Sequence, residues 1–246
     1  MTNREKINRA LKRKTNDSPK VPTSVIPKRE IATVTSSPVV VTAGASLSNN
    51  LPAPYPETEV KLIAFYLPQF HPIPENDQWW GKGFTEWTGV SAARPYFEGH
   101  YQPHLPADLG FYDLRVAEVR EAQANMARDH GIHGFCYYFY WFSGRRILER
   151  PLNEMLQSKR PDFPFCVCWA NEPWSRRWDG SESELLISQQ HEINIDKGLI
   201  LDLLPLFDDP RYIKVDGKPL LVIYRVALLP DPVALFEHFR SVVRDH

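Results

Sequence analysis

Four near-continuous apolar runs of strand length punctuate the chain: Val60–Leu67, Ile132–Tyr140, Phe163–Ala170 and Leu220–Tyr224. Strands apolar on both faces belong to parallel sheets covered by helices, because a half-exposed strand would alternate with polar residues. Helical patterns fill the intervals. Asp113 is placed to cap a helix with Val116, Val119 and Met126 roughly on one face, and Gly131 to end it. Leu148–Gln157 and Lys197–Phe207 carry helical patterns, and Asp231 followed by Pro232 opens a helix through Val243. Tyr212–Val215 and Lys218–Tyr224, joined by Asp216 and Gly217, read as a hairpin leading into the fourth run. The order is β-α repeated four times, without internal sequence repeat. That implies a parallel α/β fold, either a barrel or a doubly wound sheet.

Two connections are far longer than the usual few residues, Pro68 to Tyr112 and Asn171 to about Asp196. Both follow the carboxyl ends of strands, where α/β folds place their active sites. All seven tryptophans (Trp79, Trp80, Trp87, Trp141, Trp169, Trp174, Trp178) fall at those ends or in those loops, and none in a predicted helix. A core would spread its aromatics over strands and helices alike, whereas a pocket gathers them on one rim.

Composition narrows the partners. The 246 residues are 43% hydrophobic and 24% charged with net charge −1, which suits one sizeable core and gives no support to nucleic-acid binding. Charge is uneven along the chain. Residues 1–30 hold nine Lys or Arg against three acidic residues, and Ile31 to Pro56 holds none of either sign. The latter is too poor in large apolar side chains to offset the entropy of ordering it, so residues 1–57 are expected to be a disordered tail and 58–246 the folded domain. The stretch Pro38–Ala45 after the basic part imitates a signal peptide, but its apolar part is interrupted and no secretion is expected from it. No apolar run approaches the ~20 residues of a spanning helix. Cys136, Cys166 and Cys168 all sit in apolar runs, where cysteine behaves as a small buried hydrophobe; no disulfide scaffold is expected, and a reducing cytoplasm fits best.

An aromatic rim suits a sugar, whose C–H face stacks on indole while its hydroxyls need carboxylate, amide or guanidinium partners. Such partners interleave with the aromatics: Gln69, His71, Asn76, Asp77, Glu86, His100, Gln102, His104, Asn171, Glu172, Arg176, Arg177 and Asp179. No glycine-rich phosphate loop follows any strand, which argues against a dinucleotide fold. Glu172, between Asn171 and Pro173 at a strand end, is the candidate catalytic carboxylate, against a bland reading in which it only pairs with Arg176 or Arg177. His100 and His104 have a spacing that could hold a metal, but Pro103 and Pro106 prevent a shared helical face and no metal site is expected.

Ordered motifs then carry a resemblance. Phe65–Pro72 (FYLPQFHP), Asp77–Thr88 (DQWWGKGFTEWT), Gly99–Gly110 (GHYQPHLPADLG), Gly131–Trp141 (GIHGFCYYFYW), Phe165–Trp174 (FCVCWANEPW) and Arg177–Gly180 (RWDG) resemble the opening of WbsX-type, glycoside hydrolase family 99-like domains. The resemblance runs from about Val60 to His246. It implies a (β/α)8 TIM-type barrel, here as its N-terminal half, and glycosyl transfer or glycosidic hydrolysis on surface polysaccharides such as O-antigen or rhamnose-rich glycans. It implies no cofactor, and an oligosaccharide or polysaccharide as partner. The sugar-contacting positions expected on it are Tyr66, Trp141, Asn171, Glu172 and Trp174. The wider rim set adds His71, Trp80, Glu86, Trp87, His104, Tyr138, Trp169, Trp178 and Asp179. Pro173 departs from the Asn expected in the family. The Asn-Glu-Trp-x-x-Glu-like motif that carries both glutamates of the related hydrolases does not occur within these residues, and the resemblance implies the main glutamate pair beyond His246; Glu86-Trp87 comes too early. A chain inert by itself, able to self-associate through open sheet edges, is therefore expected, with a non-catalytic glycan-binding or scaffolding domain as the alternative.

Overall fold

The computed structural model describes residues 60–176 and 181–246; the expected tail, with Trp178 and Asp179, lies outside the described residues. The four apolar runs form four parallel strands. These are β1 (Leu62–Tyr66), β2 (Ile132–Phe142), β4 (Phe165–Trp169) and β9 (Leu221–Ile223). They lie in the order β1-β2-β4-β9, which is their order in the chain. A doubly wound sheet reverses order at a switch point. No reversal occurs among the described strands, so the arrangement is that of consecutive barrel units. Apart from a shift between Leu62 and Ile63, register is continuous: Phe65 pairs with Cys136 and Cys136 with Cys166, while Tyr138 pairs with Cys168 and Cys168 with Val222. Strand β3 (Arg145–Ile147) folds back antiparallel on the end of β2, which runs two residues beyond its predicted limit.

Paired residues of neighbouring parallel strands share a face, and the two faces differ. Tyr66, Tyr137, Phe165, Val167 and Trp169 are buried in one cluster with Ala124, Leu152, Met155, Leu203, Leu235 and Phe239. Those partners belong to the covering helices α3 (Ala117–Asp129), α4 (Arg150–Ser158), α6 (Leu199–Phe207) and α7 (Pro232–Asp245). Gly134 is required at the layer junction, where a Cβ would lie 2.6 Å from the Pro164 carbonyl oxygen. The opposite face carries Phe65, Tyr138 and Tyr224, whose rings follow one another at 5.4 and 5.9 Å. The three cysteines share that face beneath these rings, buried and free of disulfides.

Helix limits follow local chemistry. Asp231 Oδ1 accepts a hydrogen bond from the Ala234 amide at 2.9 Å, with Pro232 at the first helical position, as the sequence predicts. Asp113 does not cap α3: it bonds the Arg115 amide and guanidinium, and the helix begins at Ala117. The hairpin at Asp216 and Gly217 forms, both at positive φ, between β7 (Lys214–Val215) and β8 (Lys218–Pro219).

The two long connections are structured. The first holds helices α1 (Pro74–Trp80) and α2 (Glu86–Ala92), so Trp79, Trp80 and Trp87 lie in helices after all. Pro74 opens α1, and a Thr85–Thr88 capping box opens α2, a signal that a threonine at the third position obscures. The second forms a hairpin of β5 (Trp174–Arg176) with β6 (Ser181–Ile187), then the single turn α5 (Ile193–Asp196). Among the described residues no helix is long and apolar enough to cross a membrane.

Candidate active site

Both connections meet at the carboxyl ends of the strands, where they enclose a cavity of about 350 Å³. Its aromatic walls are Trp80 from α1, Tyr140 from β2 and Trp174 from β5; the amides of Gln69 and Asn76 and the carboxylates of Glu86 and Glu172 supply polarity. Tyr140 meets Trp174 edge-on at 5.0 Å, and Trp174 also contacts Phe142 and Trp79. These contacts fix the wall without filling the cavity. Gln69 Oε1 is buried with no hydrogen-bond partner, an acceptor whose desolvation is uncompensated unless something enters.

The two carboxylates differ in surroundings. Glu86 is the first residue of α2, and burial pushes its carboxyl above the usual range. Glu172 is ion-paired with Arg225, which follows β9. The pair is set by Asn171, fully buried at the end of β4. Its Nδ2 donates to the Arg225 carbonyl at 2.8 Å, and its Oδ1 accepts from the Arg225 amide at 2.8 Å. The side chain acts as a surrogate peptide, adding one rung to the β4–β9 ladder beyond the bond from the Tyr224 amide to the Trp169 carbonyl. Behind it, His191 Nε2 lies 2.9 Å from the Asn171 carbonyl oxygen and Nδ1 lies 3.2 Å from Asp196 Oδ2. Both ring nitrogens face acceptors, which fixes the orientation of the imidazole behind Asn171. Burial raises the Asp196 carboxyl, only partly opposed by His191.

Of the residues predicted from sequence, Trp80, Glu86, Glu172 and Trp174 line the cavity, Asn171 positions Glu172, and Tyr138 lies beside Tyr140 at 6.1 Å. The expectation that Trp141 and Trp169 line it with Glu172 is corrected. Trp141 points to the opposite face of β2 from Tyr140 and donates to Asp202 Oδ2 at 2.7 Å. Trp169 donates to the Trp141 carbonyl, and both are fully buried against the helical layer. Alternation along a strand decides this, since Tyr140 and Trp141 are neighbours and must part. Tyr66 is likewise a core residue, its hydroxyl 2.6 Å from Gln123 Oε1. His71 is buried under the first connection, its Nδ1 bonded to the Pro68 carbonyl. Trp87 donates to the Tyr112 carbonyl and packs on Phe70, and His104 stands edge-on to Tyr101 in the outer loop. Tyr140, Arg225, His191 and Asp196 escaped the sequence reading. Only Arg225 left a signal, as the first charge after the fourth apolar run. No group of three or more His, Cys, Asp or Glu suited to a metal occurs among the described residues.

Residues 62–246 match the family model described as Glycosyltransferase WbsX. A protein designated "Uncharacterized protein WxcX" in two strains of Xanthomonas campestris pv. campestris is 51% identical over 196 residues, 80% of this chain. The chain spans 28% of the length of those relatives. Two structures of a GH99 endo-alpha-mannosidase from Bacteroides thetaiotaomicron, one in complex with BIS-TRIS-propane, are similar at 16% identity with TM-scores of 0.45 and 0.43. They cover 68% of this chain and 42% and 46% of the mannosidase.

Proposed function

The chain belongs to the WbsX glycosyltransferase family, and from that premise we propose that its cavity is the sugar site of an enzyme that builds or remodels a bacterial surface polysaccharide, O-antigen or rhamnose-rich glycan. One observation carries the reading: a half-buried Glu86 and an ion-paired Glu172 share one aromatic-walled cavity. Glycosidic bonds are made and broken by two carboxyl groups in unlike surroundings, one kept protonated and one anionic. Glu86 is the proton donor to the glycosidic oxygen, because burial keeps its acid form to higher pH. Glu172 is the anion that meets positive charge developing at the anomeric carbon. Trp80, Tyr140 and Trp174 take the C–H faces of the ring; Gln69 and Asn76 take its hydroxyls. No cofactor enters this chemistry.

The test compares wild type, Glu86→Gln and Glu172→Gln on an α-mannan and a rhamnose-rich O-polysaccharide. Calorimetry reads binding, and mass spectrometry reads glycosidic bonds cleaved or formed. Binding by all three, with chemistry lost in Glu86→Gln, is expected. Chemistry should decline as pH rises through the raised Glu86 value. Binding without chemistry in wild type assigns the cavity to recognition alone. No binding to either polysaccharide overturns the proposal.

A further inference from the structure

The motif Gly99–Gly110 contributes nothing to the cavity, yet the loop that carries it is neither loose nor buried. It leaves α2 under a clamp: the Arg94 guanidinium donates to the carbonyls of Ser91, Ala92 and Ala93 at 3.3, 3.2 and 2.8 Å. It returns under another, the bond from Trp87 Nε1 to the Tyr112 carbonyl at 2.8 Å, with Phe111 edge-on to the Trp87 ring. Between the clamps three rings lie nearly parallel. His100 stacks on Phe97 at 4.7 Å and 10°, and on Tyr96 at 6.0 Å and 23°. The Tyr96 amide donates to His100 Nδ1 at 3.2 Å, and the His100 amide to the Phe97 carbonyl at 3.1 Å, which holds the imidazole in the stack. Tyr96 is 92% exposed, Phe97 68% and Tyr101 69%.

Rings pinned in a common orientation and left in water keep apolar area available at little further entropic cost, the signature of a binding surface. We propose that Tyr96, Phe97 and the neighbouring Tyr101 form a second glycan platform, which holds a neutral polysaccharide chain outside the cavity. This rests on the carbohydrate reading of the chain. Charge favours the neutral ligand: between residues 93 and 112 the only Lys or Arg is Arg94, whose Nη1 is turned back onto the carbonyls of Ser91, Ala92 and Ala93, and with Glu98 and Asp108 the segment carries a net −1, one positive side chain against two negative. Phosphate-bearing partners and anionic lipid surfaces find no counter-charge there. The platform starts at the far end of a seven-residue helix whose first residue is Glu86. That helix is about 10 Å long, and Tyr96 lies four residues beyond its end.

Affinity electrophoresis tests this, with the same α-mannan and rhamnose-rich O-polysaccharide cast in native gels. Wild type is compared with Tyr96→Ala/Phe97→Ala and with the cavity variant Glu86→Gln/Glu172→Gln, and circular dichroism verifies the fold of each. The platform variant should lose roughly tenfold or more in apparent affinity, the scale of one large apolar side chain, while the cavity variant stays retarded. Retardation kept by the platform variant and lost by the cavity variant overturns the platform and leaves the cavity reading standing. No retardation of wild type by either polysaccharide overturns both. If sedimentation shows a wild-type dimer that the platform variant abolishes, the surface belongs to a second copy of the chain and the glycan assignment falls.

Discussion

Strand β4 has an arginine–carboxylate pair at each end, and the two are built to opposite specifications. At the amino end, Arg211 donates to Asp209 through Nε and Nη2 at 2.8 Å each and to the Pro161 carbonyl at 2.8 Å. Asp209 also accepts the Arg211 amide and Lys159, so both carboxylate oxygens are engaged, and the pair is buried at 8% and 1% side-chain exposure. At the carboxyl end, Arg225 and Glu172 are 52% and 27% exposed, and the cavity beside them holds an acceptor without a partner. Burial with full saturation serves stability, because an uncompensated buried charge is severely penalised. Partial exposure with an open valence serves a ligand. The same division separates the bottom of a parallel barrel from its catalytic top.

Substitutions at the two ends should therefore fail in different currencies. Asp209→Ala strands a buried guanidinium and should lower unfolding free energy by about 3–5 kcal/mol, read by urea titration, a loss too large for a surface pair. Its acid behaviour follows in sign: hydrogen bonds from Arg211 hold the Asp209 carboxyl far below the usual aspartate range. The stability it contributes is therefore present above the ordinary aspartate value and lost only as pH falls through the depressed one. A wild-type unfolding midpoint that collapses well above that range would blur the contrast. Glu86→Gln should cut glycosidic turnover by roughly 10²–10⁴-fold and leave the urea midpoint unchanged or higher, since burial already disfavours the charged form. Trp174→Ala should weaken sugar binding by roughly 1–3 kcal/mol in a calorimetric titration. The smallest effect on folding belongs to Glu172→Gln, whose midpoint should be indistinguishable from wild type while sugar binding or chemistry changes. A fall in its midpoint to match that of Asp209→Ala would erase the distinction between the ends.

The parallel sheet was legible because each central strand is a run of apolar residues, and such runs survive any error in the loops between them. The same continuity hid the site. Without alternation, nothing in FCYYFYWF states whether Tyr140 or Trp141 faces the cavity, and the wider indole is the one that packs inward. Glu172 and Trp174 were readable from their place after β4. Arg225 shows in the sequence only as the first charge after the fourth apolar run, and its link to the site is hidden, because it lies 54 residues from Asn171 and joins through a side chain standing in for a peptide. Helices α1 and α2 were missed because each is seven residues long, with no room for a repeating apolar stripe.

That surrogate rung has a consequence for how the protein tolerates change. Asn171 grips Arg225 by its backbone, through one donor and one acceptor, so Glu172 meets its counter-ion by a coordinate measured across the sheet rather than along the chain. The intervening chain can lengthen or shorten without altering that coordinate, provided β9 keeps its place beside β4. Insertions into the β5–β6 hairpin or ahead of α6 should thus be absorbed as new loop, whereas a one-residue slip of β9 would present a different backbone to Asn171 and disconnect the arginine at once. The Glu172–Arg225 pairing is insulated from the length of the chain between its partners, while the cavity walls that the two connections supply can diversify around an unchanged pair of charges.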